Sequence, residues 1–336
     1  MSSESAAAGG TAIEWNLVRL ARLAGPYLEL AKTRLCALVL VTTLVGYLLA
    51  SGADLAWSRL GWTLLGTALA SLGANALNQC MEAPRDARME RTRGRPLPSG
   101  RLRHARAMVF AVTSSTSGPL LLWITVNALT ALLAAICLLL YVAIYTPLKT
   151  RTPLCTLVGA VVGAIPPVMG WTGATEQVGP AAWILAGILF CWQIPHFLAL
   201  AWLYRDDYAR GGFRMLPVAD PTGRLSCRVM ILYSLMLLPL GLTATLVGLS
   251  GLAFAGASLV LGGGLLALVL RLYRERTGPN ARRVFLASVA YLPLLLGLMV
   301  WDRTLPRLRP GEIAAASAVE ATELLASAPL AGAGDP

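Results

Sequence analysis

Four oxygen-bearing side chains recur every fourth residue at the polar end of an apolar stretch. They are Asn78, Glu82, Asp86 and Glu90. On an α-helix this spacing stacks side chains along one face. Carboxylates stacked in this way repel one another unless a cation bridges them. Such oxygen ligands suit Mg²⁺, which is usually bound by one or two carboxylates together with waters and substrate phosphates.

Basic residues surround these acids. Arg91 and Arg95 follow directly, and arginine binds phosphate oxygens through two parallel hydrogen bonds. The same residues allow a plainer interpretation, in which an ordinary charged loop pairs its acids with its own arginines. Pro84 lies inside the stripe of acids and is expected to bend or interrupt the helix, which would split the stripe.

A second acidic pair, Asp206 and Asp207, follows a later apolar stretch and precedes Tyr208. Between the two acidic segments lie Tyr145 and Lys149, which add a phenol and a cation. Two acidic clusters that face each other would hold Mg²⁺ against a diphosphate whose apolar tail lies among helices. Departure of the diphosphate would leave an allylic cation, which aromatic faces stabilise.

Histidine is scarce, with only two in the chain, His104 and His196. His196 lies in an apolar stretch beside Pro195, where it is either a buried, hydrogen-bonded side chain or a contact for haem. A single histidine cannot form a dedicated multi-histidine metal site. The chain has no GxxxxGK[ST] phosphate loop, which argues against an ATP-driven pump. The six cysteines form no CxxC pair and are interpreted as small apolar residues.

The composition indicates a membrane protein. Of the 336 residues, 56% are hydrophobic and only 13% are charged, about half the share of about 25% in soluble domains. This excludes an ordinary soluble enzyme, an intrinsically disordered chain and a disulfide-rich secreted module. Nine windows have the length and apolarity of a membrane span. They lie at roughly 36–53, 61–81, 107–125, 128–146, 154–172, 181–203, 229–249, 252–270 and 284–301.

The basic residues indicate how these spans are oriented. The net charge is +11, and most Lys and Arg residues precede the first window or follow every second one. By the positive-inside rule this pattern predicts a cytoplasmic N-terminus and a C-terminus on the outside. A membrane surface therefore explains the basic charge, and no nucleic-acid partner is expected. The sequence predicts an all-α polytopic bundle of about nine transmembrane helices around a central cavity.

Four motifs together resemble the UbiA superfamily of intramembrane prenyltransferases, over roughly residues 26–302. They are the acid- and arginine-bearing stretch from Asn78 to Leu97, then Tyr145–Lys149, Trp192–Phe197 and Asp207–Pro217. Glu82, the pair His196–Phe197 and the triplet Met215–Leu216–Pro217 resemble the branch of that superfamily that acts on haem. One departure from the wider superfamily is Gly211, which stands where a second acid commonly lies four residues after Asp207.

The resemblance implies roles for individual residues. Asn78, Glu82 and Asp86 would form a first diphosphate–metal site, and Asp207 a second one, helped by Asp206. The implied phosphate contacts are Arg91, Arg95 and Lys149. The catalytic candidates are Asp86, Asp207 and Lys149, and the candidates for substrate binding are Asn78, Arg91, Arg95, Tyr145, His196 and Tyr208.

The resemblance also implies a reaction, the transfer of farnesyl from farnesyl diphosphate to the 2-vinyl group of haem B, with Mg²⁺ as cofactor and haem as substrate. The expected setting is the inner cell membrane, with the lipid bilayer as partner and a haem A synthase or oxidase downstream. Residues 1–25 and 303–336 are expected to be tails, the second one disordered. The alternatives are prenylation of a quinone precursor or chlorophyllide, and a transporter. Acids clustered at one membrane face favour chemistry on an amphiphile over transport.

Overall fold

Within the part of the chain that the structure describes, nine helices are long and apolar enough to cross a membrane. A computed structural model of the chain describes residues 24–52 and 55–303, and within these residues the prediction of nine spanning helices is confirmed. The helices are α1 (Thr33–Ala50), α2 (Trp57–Asp86), α3 (His104–Thr125), α4 (Ala128–Leu148), α5 (Cys155–Thr175), α6 (Pro180–Leu203), α7 (Arg224–Leu246), α8 (Leu252–Arg274) and α9 (Gly278–Trp301).

Shorter helical pieces connect the spans on one side. Residues 24–30 are helical, and two short helices, Arg205–Arg210 and Leu216–Ala219, lie in the connection between α6 and α7. Of the expected tails, 1–25 and 303–336, residues 1–23 and 304–336 lie outside the described residues, and residues 24 and 25 belong to the helical segment before α1. The prediction of disorder in the second tail falls there as well.

Helix α2 runs unbroken past Pro84 to Asp86, so the expected interruption is wrong. A proline has no N–H to donate to the carbonyl four residues earlier, here that of Cys80. The ring of His104 lies 3.4 Å from this carbonyl oxygen and supplies a polar neighbour in place of the missing N–H. Because the helix ends at Asp86, Glu90 does not share the face of the three residues before it, and its side chain is 76% exposed.

The apolar core is centred on α6, which is hydrophobic around most of its circumference and packs against α5, α7 and α9. Leu185, Ile188 and Leu198 of α6 are essentially inaccessible. A helix that is apolar on all sides is expected inside such a bundle. On the outer helices, large apolar residues such as Ile124 and Val260 are exposed, as expected for surfaces that face lipid.

Helices α1 and α5 pack extensively at backbone distance through glycines. A Cβ atom at Gly170 would overlap the carbonyl oxygen of Thr43, and one at Gly46 would overlap that of Pro167. Small residues at helix contacts are typical of membrane bundles because lipid supplies no hydrophobic drive for helices to associate. The start of α1 is held against α2 by Gln79, whose amide donates to the carbonyls of Glu29 and Leu30.

We expect Gly170→Ala to destabilise the bundle by about 1–3 kcal/mol, the usual cost of overpacking. The added methyl group would force α1 away from α5. The matched control is Gly264→Ala in α8, where a Cβ meets nothing within 4 Å and helix propensity favours alanine. Thermal unfolding of both variants in detergent, followed by circular dichroism, tests this. Equal midpoints for the two variants would contradict it.

Candidate active site

A cavity of about 440 Å³ opens among α1, α2, α4, α5 and α6, within the range of about 300–1,000 Å³ typical of small-molecule sites. Its charged lining residues are Lys32, Glu82, Asp86, Arg91, Arg95 and Lys149. All six lie before α1, at the end of α2 or just after α2 and α4, so they share one end of the bundle. The remaining lining is mostly apolar, with Leu35, Val39, Val162, Met169, Phe197 and Leu200 among its members.

Glu82 pairs with Lys149 across the polar end of the cavity, with 2.8 Å between Oε1 and Nζ. Both side chains are largely buried, and the ammonium group also lies 4.6 Å from the centre of the Tyr145 ring. Desolvation lowers the pKa of Lys149, but the neighbouring Glu82 carboxylate and the phenols outweigh it, so the pKa is raised above its usual value. Lys149 therefore carries its charge in the site.

Asp86 pairs with Arg95 through Oδ2 at 2.7 Å, and its side chain is 1% exposed. The second carboxylate oxygen, Oδ1, is buried and has no hydrogen-bond partner among the described residues. An acid does pair with an arginine of its own loop here, as the plainer interpretation held. A buried carboxylate oxygen left without a partner is nevertheless costly, so the site is incomplete with respect to a cation or proton donor.

Lys32 is a site residue that the sequence prediction missed. It lies just before α1 in a left-handed conformation with φ 50°, and its Nζ donates to Oδ1 of Asn78 at 2.9 Å. Asn78 is fully buried and donates to the hydroxyl of Thr146. Desolvation and the charges of Arg95 and Lys149 lower the pKa of Lys32 to about 7. Arg91, Arg95 and Lys149 already outnumber the two carboxylates of the cavity, Glu82 and Asp86. An anionic ligand would balance this excess of positive charge and would favour the protonated form of Lys32.

Asp207 connects the loop between α6 and α7 with the loop between α2 and α3. Its Oδ1 accepts a hydrogen bond from the backbone N–H of Glu90 at 2.9 Å, and Oδ2 accepts one from that of Arg91 at 3.4 Å. Arg210 adds a bond of 2.7 Å to Oδ1. Desolvation opposes the charge on Asp207, but these donors outweigh it and hold its pKa below the usual value. Neither Asp207 nor the adjacent Asp206 lines the cavity. Asp207 acts on the site through the arginine loop that it holds, whereas the side chain of Asp206 is 85% exposed and the structure does not bring it to the site.

The last turns of α4 have a π-helical form over Leu140–Tyr145, a local widening that often occurs at functional sites. Pro147 has no N–H to continue the helical ladder. At the residue before it, the backbone N–H and the hydroxyl of Thr146 both donate to the carbonyl of Tyr141, the hydroxyl at 2.8 Å. The wider turn brings Tyr141 and Tyr145 to the cavity wall as a stacked pair with ring centres 5.4 Å apart.

Gly159 and Gly163 of α5 make room for side chains of the cavity wall. A Cβ at Gly159 would lie 2.8 Å from the Tyr145 ring, and one at Gly163 would overlap Oε1 of Gln193. Both amide bonds that Gln193 donates go to backbone carbonyls. Gln193 lines the cavity and was part of a recognised motif, but it was not among the predicted site residues.

His196 and Tyr208 both line the cavity, as sequence analysis expects of substrate-binding residues. Nδ1 of His196 lies 2.9 Å from the hydroxyl of Ser288. Tyr208 lies below Arg91, whose guanidinium is 5.6 Å from the ring centre. The wall therefore combines the imidazole of His196 with a cation held over the phenol ring of Tyr208.

A divalent metal would find suitable ligands here. Among residues 24–52 and 55–303, no group of three or more His, Cys, Asp or Glu side chains could hold a metal ion alone. Mg²⁺ needs only one or two carboxylates when phosphates and waters complete its shell. Glu82 and the unpaired Oδ1 of Asp86 fit that requirement, so the donors present match a metal that is shared with a substrate phosphate.

Comparisons with solved structures agree with this architecture. The structure of a digeranylgeranylglyceryl phosphate synthase superposes with a TM-score of 0.72 at 16% identity, covering 84% of this chain and 98% of that one. A UbiA homologue from Archaeoglobus fulgidus, bound to GPP and Mg²⁺, superposes with a TM-score of 0.62 at 13% identity, covering 82% and 99%. At these identities the likeness concerns the fold alone.

Sequence comparisons go further. A protoheme IX farnesyltransferase from Solibacter usitatus is 43% identical over 286 residues, covering 82% of this chain and 98% of that protein. A mitochondrial protoheme IX farnesyltransferase from Arabidopsis thaliana is 42% identical over 278 residues, covering 82% of this chain and 64% of that protein. The model of the UbiA prenyltransferase family matches residues 39–294. The chain therefore belongs to the UbiA prenyltransferase family.

Proposed function

We propose that this chain transfers the farnesyl group of farnesyl diphosphate to the 2-vinyl group of haem B and that a water molecule adds to the vinyl carbon left positively charged, giving haem O and diphosphate. The observation that carries the proposal is the two-ended cavity, whose charged end suits a diphosphate and whose apolar, aromatic remainder suits an isoprenoid and a flat macrocycle. The two relatives above are protoheme IX farnesyltransferases by name. They give no support to a transporter or to prenylation of a quinone precursor or chlorophyllide.

The cations at the polar end would bind the diphosphate and stabilise it as it leaves. Arg91, Arg95 and Lys149 line the cavity from two different loops, and Lys32 joins them from the start of α1. Negative charge grows on the diphosphate as its bond to the farnesyl carbon breaks. Fixed cations in a site of low dielectric stabilise that charge more than they would in water.

Glu82 and Asp86 are the residues that would hold a divalent ion at the first site, with Asn78 behind them. A bound Mg²⁺ supplies positive charge that screens the carboxylates from the diphosphate, and the A. fulgidus homologue with GPP and Mg²⁺ supports this choice of metal. Asp207, and not the exposed Asp206, is the acid of the second loop that serves the site. Its bonds to the backbone of Glu90 and Arg91 hold the arginine loop in place.

The apolar part of the cavity would protect the reacting farnesyl group. Tyr141, Tyr145 and Phe197 present aromatic faces to the cavity, and such faces attract an allylic cation once the diphosphate has left. The surrounding aliphatic side chains keep water away from the farnesyl cation, which water would otherwise capture before the cation reaches the vinyl group. His196, with Trp192 stacked on one side at 5.0 Å and Phe285 on the other at 5.1 Å, would meet haem B with the edge of its imidazole ring.

The setting that we propose is the inner cell membrane, with the N-terminus in the cytoplasm and the C-terminus outside. The polar end of the cavity would then face the cytoplasm, and the prenyltransferase domain would span residues 26–302 between two tails, 1–25 and 303–336. The substrate tails and the product would lie in the lipid bilayer. A haem A synthase or a terminal oxidase would take up the product.

We expect Asp86→Asn to lower haem O formation by about 10²-fold or more, as the loss of one electrostatic partner at a reacting centre does. The substitution keeps the shape of the side chain and removes the charge that would hold the metal. Membranes incubated with haem B, farnesyl diphosphate and Mg²⁺, followed by mass analysis of the haem, give the readout. Glu90→Gln is the control and should stay near the wild-type rate. An undiminished rate in Asp86→Asn would refute the role of Asp86.

The neighbouring acids Asp207 and Asp206 should differ sharply. Asp207→Asn loses the charge that anchors two backbone N–H groups and Arg210, so we expect at least about a tenfold fall in rate, as for other residues that orient a metal site. Asp206→Asn alters an exposed side chain and should leave the rate unchanged. Haem O formation is measured for both variants in the same assay. Equal losses of rate would contradict the prediction that the buried Asp207 serves the site and the exposed Asp206 does not.

For haem binding, we expect His196→Ala to weaken the affinity for haem B by about tenfold or more, within the range found for groups around metal centres. Titration of the purified protein with haem B, followed in the Soret band, measures this. His104→Gln serves as control because His104 does not line the cavity. If the His196→Ala variant bound haem B with unchanged affinity, the proposed contact between His196 and haem would be wrong.

A further inference from the structure

Ser288 of α9 contacts His196 from behind the cavity wall. Its side chain is inaccessible, and its hydroxyl oxygen lies 2.9 Å from Nδ1 of His196. The backbone carbonyl of Ser288 accepts a hydrogen bond of 2.8 Å from the indole of Trp192, while Phe285 stacks on the imidazole with ring centres 5.1 Å apart. One turn of α9 thus fixes both the position and the tilt of the imidazole ring.

The single proton of the Ser288 hydroxyl is already committed. The hydroxyl oxygen lies 2.6 Å from the carbonyl oxygen of Phe285. Two oxygens this close require a proton between them, and a carbonyl has none to give. The hydroxyl therefore donates to Phe285, and towards His196 it can only accept. Nδ1 of His196 must then carry the proton of that hydrogen bond.

In a neutral imidazole the other nitrogen has the free lone pair. Nε2 of His196 has no hydrogen-bond partner among the described residues, and the side chain lines the cavity. Histidines that bind a metal usually donate their second N–H to an acceptor of the protein, which fixes the tautomer. For His196, the hydroxyl oxygen of Ser288 is this acceptor.

We propose that Ser288 is a positioning residue that holds His196 as the Nδ1–H tautomer, so that Nε2 presents its lone pair to the iron of haem B. The proposal rests on the function proposed above, because it takes haem B as the substrate in the cavity. Ser288 does not line the cavity, so it acts only through His196. The serine hydroxyl thereby determines which nitrogen of His196 can ligate iron.

Ser288→Ala removes the acceptor and tests the proposal. In the full-length protein in detergent, we expect the affinity for ferric haem B to fall by about tenfold, the Soret band and the electron paramagnetic resonance spectrum to lose the signature of imidazole ligation, and binding of farnesyl diphosphate to stay as in wild type. The matched control is Ser258→Ala, since Ser258 is a buried serine whose hydroxyl also donates to a carbonyl three residues earlier, that of Ala255.

A second pair of variants keeps the test independent of packing. Ser288→Thr and Ser288→Val have the same shape and differ in the hydroxyl, so Thr should restore the imidazole signature and Val should not. Equal spectra for the Thr and Val variants, or a wild-type spectrum for Ser288→Ala, would overturn the proposal while leaving haem farnesylation intact. Failure of the wild-type protein to bind haem B or form haem O would instead overturn the proposed function.

Discussion

The pairing of buried acids with buried cations at one end of the bundle is the interaction on which the site depends. Charges are costly in an apolar environment unless they are paired and hydrogen-bonded. Glu82 with Lys149 and Asp86 with Arg95 meet this requirement. The partners come from different connections, so these pairs tie the ends of α2 and α4 to the loop between α2 and α3. The positive charge in excess of the two acids is what suits the site to a diphosphate.

The number and order of the helices could be predicted because each span repeats a simple physical requirement, about twenty apolar residues. The alternation of basic loops then placed both acidic segments at one face. Asn78, Glu82 and Asp86 share a helix face as their spacing indicates, and Asp207 reaches the loop that follows them. These features follow from residue spacing and from the order of apolar and basic segments, both of which can be read from the sequence.

Other features could not be predicted from the sequence because they depend on contacts between distant segments. The continuity of α2 past Pro84 requires a polar neighbour for the carbonyl of Cys80, and His104 lies in another helix. In the sequence Lys32 is one more basic residue before the first span. It lies beside Asn78 because Gln79 of α2 bonds to the backbone of Glu29 and Leu30, a contact between segments far apart in the chain. Asp206 and Asp207 are adjacent and chemically alike, so their different exposure follows from the path of the backbone.

The tie between the two loops has a consequence for sequence variation. Asp207 contacts the main chain of residues 90 and 91, and every amino acid except proline offers the same N–H group there. Drift of the side chain at position 90 would leave this join intact, whereas the carboxylate on the other side of it has no substitute of equal reach and charge. The side chain at position 90 can therefore vary without loss of these bonds, whereas position 207 must remain an aspartate. A proline at position 90 or 91 would remove one of the two N–H donors.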